Sequence, residues 1–594
     1  MTKRALAVEG CLWKGRAAPR TQCPAAHKAA WWQAPGASEA RCRLASLPRY
    51  LGALLGLCTF VALAATMATA APAGDLTSRF GGVYRCPLTG NPASLDPAYA
   101  TDIYAYTIMN QIFDGLVQFD SHLNPVPAIA GFWEASVDGR VWIFYLRKGV
   151  RFHNGREVTA EDFVYSFTRL LDPAVRSPVT DFFKYIRGVE AFQAGKTSQV
   201  EGLQAPHRYT LQIALQEPYA PFLSALAMSN AKVVPREEVE KLGKQFGQHP
   251  VGSGPFAFVR WEQRHEIVLQ AYDFYYEGRP FLDQIVFKIS PDQQFEADFA
   301  AFLKGELEET VVPNAQGEQI RKNLHYRPYT YLAKPLLHLL YIGLNTQKAP
   351  FTDRKVRQAF NYAINKKAIV QEIRQGVCSV SANGILPPGM PGYDPDLVGY
   401  YYNPRRAKQL LAEAGYPGGQ GIPVLDLWFS SKEDTARKEL EAYQEDLAEL
   451  GITVEIHQAA DWPAFQTILA ERQPAMFRLA WYSDIPDPDN FFYPLLFSQS
   501  KLNRTLYRNP QVDQLLEEAR SKTNYQQRIR IYRQIEQLVL DDAPWISQHH
   551  SAFEYLYQPY VQGIEINALG AHYIPMKKVW LEKPKDQKVI TKEK

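Results

Sequence analysis

The chain has 594 residues, too many for a single ordinary core. Hydrophobic residues make up 46% and aromatics 13%, enough to bury large cores and to exclude a disordered chain. The formal charge of +3 hides an asymmetry: the first fifty residues carry nine Lys/Arg against two Asp/Glu, which leaves −4 on the rest. A mildly acidic body has no electrostatic reason to hold nucleic acid, so no nucleic-acid partner is expected.

The N-terminus accounts for the asymmetry. Arg41, Arg43 and Arg49 precede an unbroken apolar run, Leu51 to Ala65, and Ala68-Thr69-Ala70 fits the small-x-small rule of signal peptidase. The run is short for a bilayer span of about 20 residues. The expectation is a signal peptide over 48–70, a mature start near Ala71 and a periplasmic protein. Residues 1–47 read as an extension from an early start codon. Leu57 precedes Cys58 where a lipobox needs a small residue, which argues against a lipid anchor. Removing the signal takes away Cys11, Cys23, Cys42 and Cys58; Cys86 and Cys378 remain, and they are expected to stay unpaired.

The body reads as mixed α/β without repeats or a low-complexity linker. Strands are predicted at Val141–Leu146, Tyr209–Leu215, Ile267–Ala271, Ile285–Ile289 and Leu336–Leu344, then at Phe553–Tyr557 and Val579–Leu581. Asn403-Pro404 predicts an N-cap and first turn for a helix over Arg405–Ala414 that stops at Gly415. Glu433–Leu450 places Leu440, Tyr443, Leu447 and Leu450 on one face before Gly451. Asp353–Ile373 and Tyr525–Leu540 are similarly amphipathic.

Enzyme motifs fail in their details. His265-Glu266 opens an H-E-x-x-H, but Leu269 stands where the second zinc ligand belongs. Gly252-Ser253-Gly254-Pro255-Phe256-Ala257 fits G-x-G-x-x-A, but Pro255 and an alternating strand follow instead of a helix. His549-His550 are neighbours on an extended segment and point to opposite faces. Asp484, Asp487 and Asp489 lack the glycine and glutamate of a calcium loop. No metal and no cofactor are expected.

Several segments together resemble the family 5 extracellular solute-binding proteins, the periplasmic oligopeptide- and dipeptide-binding group. They are Ser94-Leu95-Asp96-Pro97; Trp142 and Leu146-Arg147-Lys148-Gly149-Val150; Phe152-His153-Asn154-Gly155; Thr159-Ala160-Glu161-Asp162 with Ser166 and Arg169; Gly252 to Phe256; Asn345 to Ala363; and Trp481-Tyr482-Ser483-Asp484 with Asp487-Pro488-Asp489-Asn490-Phe491-Phe492. The resemblance runs from about Gly81 to Leu581. It implies an α/β, two-lobed type II periplasmic binding protein fold with an extra subdomain on lobe one and a ligand cleft at the hinge. Lobe one would be 75–330, completed by 549–594, and lobe two 331–548.

The resemblance also implies a function: the substrate-binding subunit of an ABC importer, a monomer and not an enzyme, handing peptides to permease subunits at the inner membrane. Every free peptide carries an N-terminal ammonium, which a carboxylate can fix by a charge-assisted hydrogen bond, while its main chain can be gripped as an added strand. In the relatives the carboxylate falls on Asp484. Trp481, Trp462 and Tyr482 take aromatic or flanking positions, Ala480 lies on the same segment, and Arg478 matches a basic residue that can meet a ligand C-terminus. Thr101 to Ile103 would supply the first-lobe contact. Dipeptide-selective relatives carry an Arg near Phe429-Ser430-Ser431; serines stand here, which points to an oligopeptide. The alternatives are a nickel, haem, sugar or opine binder on the same fold, a secreted hydrolase using Asp484 and Asp489, and a membrane-tethered sensor.

Overall fold

Strand Val83–Leu88 alternates buried and less buried positions, as a strand with one face on a core must. The computed structural model describes residues 76–290, 294–313, 316–374, 379–380, 384–431 and 433–583. The expected signal segment, Ala71 and Cys378 lie outside them. Val83–Leu88 pairs in parallel with Gln284–Ile289, which continues antiparallel to Glu266–Ala271 and then Phe256–Glu262. The glycines before this meander have a steric reason. A Cβ at Gly252 would stand 2.1 Å from the Ile112 carbonyl oxygen, and one at Gly254 2.6 Å from that of Gln111. Gly254 N–H also donates to the Ile112 carbonyl at 2.8 Å. The glycines serve a close backbone approach and open a strand, so no helix N-terminus is there to cradle a phosphate. Cys86 is buried in this sheet as a free thiol.

A second four-stranded antiparallel sheet runs in the order Ala130–Ala135, Val141–Leu146, Thr210–Ala214, Leu203–His207. Helix Ala160–Leu171 covers it, and a capping box between Thr159 and Asp162 starts that helix. Phe144, Phe152, Phe163 and Phe167 fill the space between. Arg169, at the end of the helix, donates to both Asp96 oxygens at 2.8 and 2.5 Å. Two motif segments far apart in sequence are thus one ion pair.

The largest sheet has six strands in the order Ser379–Val380, Trp545–His550, His338–Leu344, Met476–Tyr482, Leu425–Phe429, Val454–Gln458. Ile342, Leu344, Met476 and Ile546 on one face pack against helices Arg354–Ala363, Pro404–Glu413 and Asp434–Ala448. Leu339, Tyr341, Phe477 and Trp545 on the other pack against Asp489–Leu496, Pro510–Ser521 and Tyr525–Asp542. A sheet buried on both faces needs apolar residues at consecutive positions, which explains the unbroken run Leu339–Leu344 within the strand His338–Leu344. A three-stranded sheet, Glu309–Val311, Ala552–Tyr557, Thr330–Pro335, brings the C-terminal part of the chain back beside its first half.

One predicted helix is broken. Asp353–Ile373 divides after Ala363: Ile364 turns extended, and Asn365 caps a new turn by accepting from Ala368 N–H at 3.1 Å. Asp446 accepts the Asn365 N–H at 2.8 Å and fixes the break. Among the described residues no helix is long and apolar enough to cross a membrane.

Candidate ligand-binding site

The strand Met476–Tyr482 ends in a tight turn that presents Asp484. Asn490, in the first turn of the following helix, builds this turn: its side-chain oxygen accepts from Asp484 N–H at 2.9 Å, and its amide donates to the Asp484 carboxylate at 3.4 Å. Ser483 N–H is held by the Leu337 carbonyl at 2.8 Å. The next residue, Ile485, is fully buried in the core of the second sheet with Phe144 and Tyr219. The carboxylate therefore sits on a turn pinned on both sides.

Asp484 opens into a cavity of about 60 Å³. Tyr482 and Ser483 line it from the same turn, Ile103, Tyr106 and Met228 to Asn230 from the first half of the chain, and Leu336, Leu337, Ala568, Leu569, His572 and Tyr573 from the crossing segments. None of the lining residues is Lys, Arg or Glu, and Asp484 is the sole Asp. Asp484 is exposed and lines the cavity, yet protein crowds its carboxylate closely. The desolvation that comes with this crowding lifts its pKa from 3.8 to about 6, with the Asn490 amide pulling the other way. Burial holds His572 neutral, its pKa pushed down to about 4. Burial, together with the nearby Asp484 charge, raises the Tyr106 hydroxyl. At pH 7 the cavity thus holds one negative charge with no protein cation to answer it. A monovalent cationic group fits that deficit; a divalent metal would want more oxygen ligands.

The candidate residues divide. Ile103, Tyr482 and Asp484 meet at the cavity, and Ile103 and Tyr482 stay 53% and 59% exposed, as apolar walls of an accessible site would. Thr101 and Ala480 are exposed nearby in sequence but do not line it, and Trp462, 51% exposed, stands at the start of helix Trp462–Thr467, also away from the cavity lining. Trp481 packs against the core of the six-stranded sheet, on the face opposite Tyr482. Arg478 donates to Glu439 at 2.9 Å, and Arg374 donates to the other Glu439 oxygen at 2.5 Å. Glu439 is completely buried, so Arg478 belongs to an internal ion triad. Asp102, beside Thr101, caps helix Ile103–Ile112 by accepting from Ala105 N–H at 2.8 Å.

The other acidic motifs are occupied, and the histidine pair is buried. Asp487 accepts from Arg528 at 2.5 and 2.6 Å, and Asp489 from Arg520 at 2.9 Å on each oxygen. Neither is free to pair with Asp484 in acid–base work. Glu266, next to His265, is engaged by Arg260 and Lys288. His549 and His550 are both buried, and burial lowers the pKa of each.

Residues that sequence reasoning passed over are Tyr106, Met228 to Asn230, His572 and Tyr573. Tyr106 follows Ile103 by three positions and so shares its helix face, a signal that was available. The others come from loops and from the C-terminal return, where no periodic pattern marks them.

The sequence profile of the bacterial extracellular solute-binding proteins, family 5, middle region, matches residues 124–503. The chain belongs to this family. Among curated family 5 relatives, the heme-binding protein A of Haemophilus influenzae is 32% identical over 81% of this chain and 89% of its own length. The dipeptide-binding protein of Escherichia coli is 30% identical over 82% and 92%. Among solved structures, the Helicobacter pylori ABC transporter-associated periplasmic binding protein DppA, in complex with peptide STSA, superposes with a TM-score of 0.72 at 28% identity over 85% of this chain and 99% of that one. As a family 5 protein the chain has the two-lobed, type II, mixed α/β architecture of these neighbours.

Proposed function

We propose that this family 5 protein is the periplasmic peptide-binding subunit of an ABC importer, and that Asp484 holds the N-terminal ammonium of its ligand. The observation that carries the reading is the cavity's lone uncompensated carboxylate, held on a pinned turn among apolar and neutral groups. A peptide ammonium supplies the missing charge, and the rest of an extended peptide can be held by main-chain bonds. The cavity, about 60 Å³, takes the end of such a ligand and not the whole of it. The names of several relatives, among them the dipeptide-binding protein and a probable di/tripeptide-binding protein, support the class.

On this reading lobe one comprises 75–330 with 549–594 and lobe two 331–548. The crossing of the chain in the three-stranded sheet, with Ala552–Tyr557 between Glu309–Val311 and Thr330–Pro335, supports those boundaries. The protein is exported by a cleaved signal, acts as a monomer and catalyses nothing. Serines at 430 and 431 favour an oligopeptide over a dipeptide. Trp462, Ala480 and Thr101 are assigned to the walls of the cleft beyond the cavity. Native mass spectrometry of protein purified from the periplasm, with its co-purified ligands, tests the assignment. Adduct masses that resolve into short peptides support it, whereas haem, nickel or a sugar as the retained species overturns it.

A further inference from the structure

A second cavity lies inside the six-stranded-sheet region and shares no lining residue with the first. Its volume is about 10 Å³, and it is walled by Asn361, Lys366, Tyr400, Trp545 and Ser547 with the end of helix Tyr525–Asp542. Space of this order holds a single small particle. Lys366 begins the turn created by the helix break at Asn365, and only 4% of it is exposed. Burial alone acts on its ammonium: it lowers the pKa to about 8, with no carboxylate raising it back. Two further wall residues have unmet hydrogen-bonding atoms, for the Trp545 indole N–H and the Ser547 hydroxyl are buried without a partner. The donors of the other polar wall groups are spent. The Asn361 amide donates to the Trp545 and Arg357 carbonyls at 3.1 Å each, and the Tyr400 hydroxyl donates to the Leu540 carbonyl at 2.8 Å.

Buried charges are almost always paired, and buried donors almost always satisfied. This cavity offers an ammonium, an indole N–H and a hydroxyl, and no free carboxylate. We propose that the cavity is a binding site for one monovalent, halide-sized anion, with chloride the form available in solution, held by Lys366 together with Trp545 and Ser547. The anion would supply the charge that the fold does not, and it would fasten the broken helix 354–373 to strand Trp545–His550. Nothing in this site touches the peptide cavity, so it stands whether or not the ligand proves to be a peptide.

Bromide replaces chloride and scatters anomalously, so wild-type crystals soaked in sodium bromide give the direct reading. An anomalous peak within hydrogen-bond distance of the Lys366 ammonium is expected. A peak only at the protein surface, or a water or an empty space at this position, overturns the proposal. In solution, chloride raised from 1 to 100 mM at constant ionic strength, with gluconate as the replacement, should raise the thermal midpoint by about 1–2 °C through ligand linkage. Lys366→Met should abolish that rise, and Ser547→Ala should shrink it while keeping the lysine. An equal chloride response in wild type and Lys366→Met overturns the assignment. Should Lys366→Met fail to fold, the bromide map of the wild type decides alone.

Discussion

Tyr185→Phe removes one hydroxyl that does not line the ligand cavity and should nonetheless weaken ligand binding. Arg520 is fixed by Asp489 through two bonds of 2.9 Å and lies over the Tyr493 ring, 3.2 Å from its centroid. Burial works against its charge and Asp489 more than restores it, so the guanidinium stays charged. It then donates to the Tyr185 hydroxyl at 2.7 Å, while the Arg520 carbonyl accepts from Ala220 N–H at 2.9 Å. On the proposed boundaries Tyr185 and Ala220 belong to lobe one and Arg520 to lobe two, so these bonds exist only when the lobes are together. A hydrogen bond to a charged group contributes about 1.5–3 kcal/mol. Tyr185 is half-buried, which places its bond at the lower end, about 1.5 kcal/mol. Charged to the closed state alone, that loss shifts the open–closed balance about tenfold and lowers apparent affinity by up to the same factor. Calorimetric titration gives the affinity, and small-angle scattering of the free and loaded protein gives the balance. Arg520→Ala also leaves Asp489 buried and unpaired, at a cost of about 3–5 kcal/mol in denaturant unfolding. Wild-type affinity and wild-type scattering for Tyr185→Phe would refute the latch.

The raised Asp484 pKa makes binding and stability depend on pH in opposite senses. Affinity for a free peptide should fall about tenfold per pH unit below about 6, as the carboxylate takes up a proton, and fall again above about 8 as the ligand ammonium loses one. Calorimetry from pH 5 to 9 would show a flat profile if Asp484 were not the anchor. For the empty protein the sign reverses. The folded-state pKa of about 6 exceeds the ordinary 3.8, so ionising Asp484 destabilises the fold increasingly between about pH 4 and 6 and fully above. Asp484→Asn should therefore raise the thermal midpoint at pH 7.5 and leave it unchanged at pH 4. Glu439→Gln should cost about 3–5 kcal/mol in denaturant unfolding, because Arg374 and Arg478 lose their shared buried counter-charge; a cost under 1 kcal/mol would show that the triad carries little.

Strands were legible where burial imposes a pattern. Val141–Leu146 coincides with its prediction, and Ile267–Ala271 and Ile285–Ile289 are each one residue short at the start. Caps were legible for the same local reason: Asn403 accepts from Arg406 N–H at 3.1 Å and Pro404 begins the helix. The break at Asn365 was not, because it depends on Asp446, 81 positions away, accepting its backbone N–H. The cavity was legible on the strand-and-turn side, where Tyr482 and Asp484 fall in a motif. It was hidden on the side of His572 and Tyr573, which reach it only because the chain returns across the molecule. Arg478 shows the limit of motif transfer. Its position matched a ligand-binding residue, and only the fold reveals Glu439 already on its guanidinium.

The central claim is that Asp484 grips a ligand ammonium. Calorimetric titration of wild type and Asp484→Asn with one peptide, free and N-acetylated, tests it most directly. Acetylation should weaken wild-type binding about ten- to a hundredfold, since it removes the ammonium that answers the Asp484 charge and a hydrogen bond to a charged group contributes about 1.5–3 kcal/mol. In Asp484→Asn the free peptide should bind about as poorly, and acetylation should change little further. An equal loss on acetylation in both proteins, or no loss in either, would contradict the account.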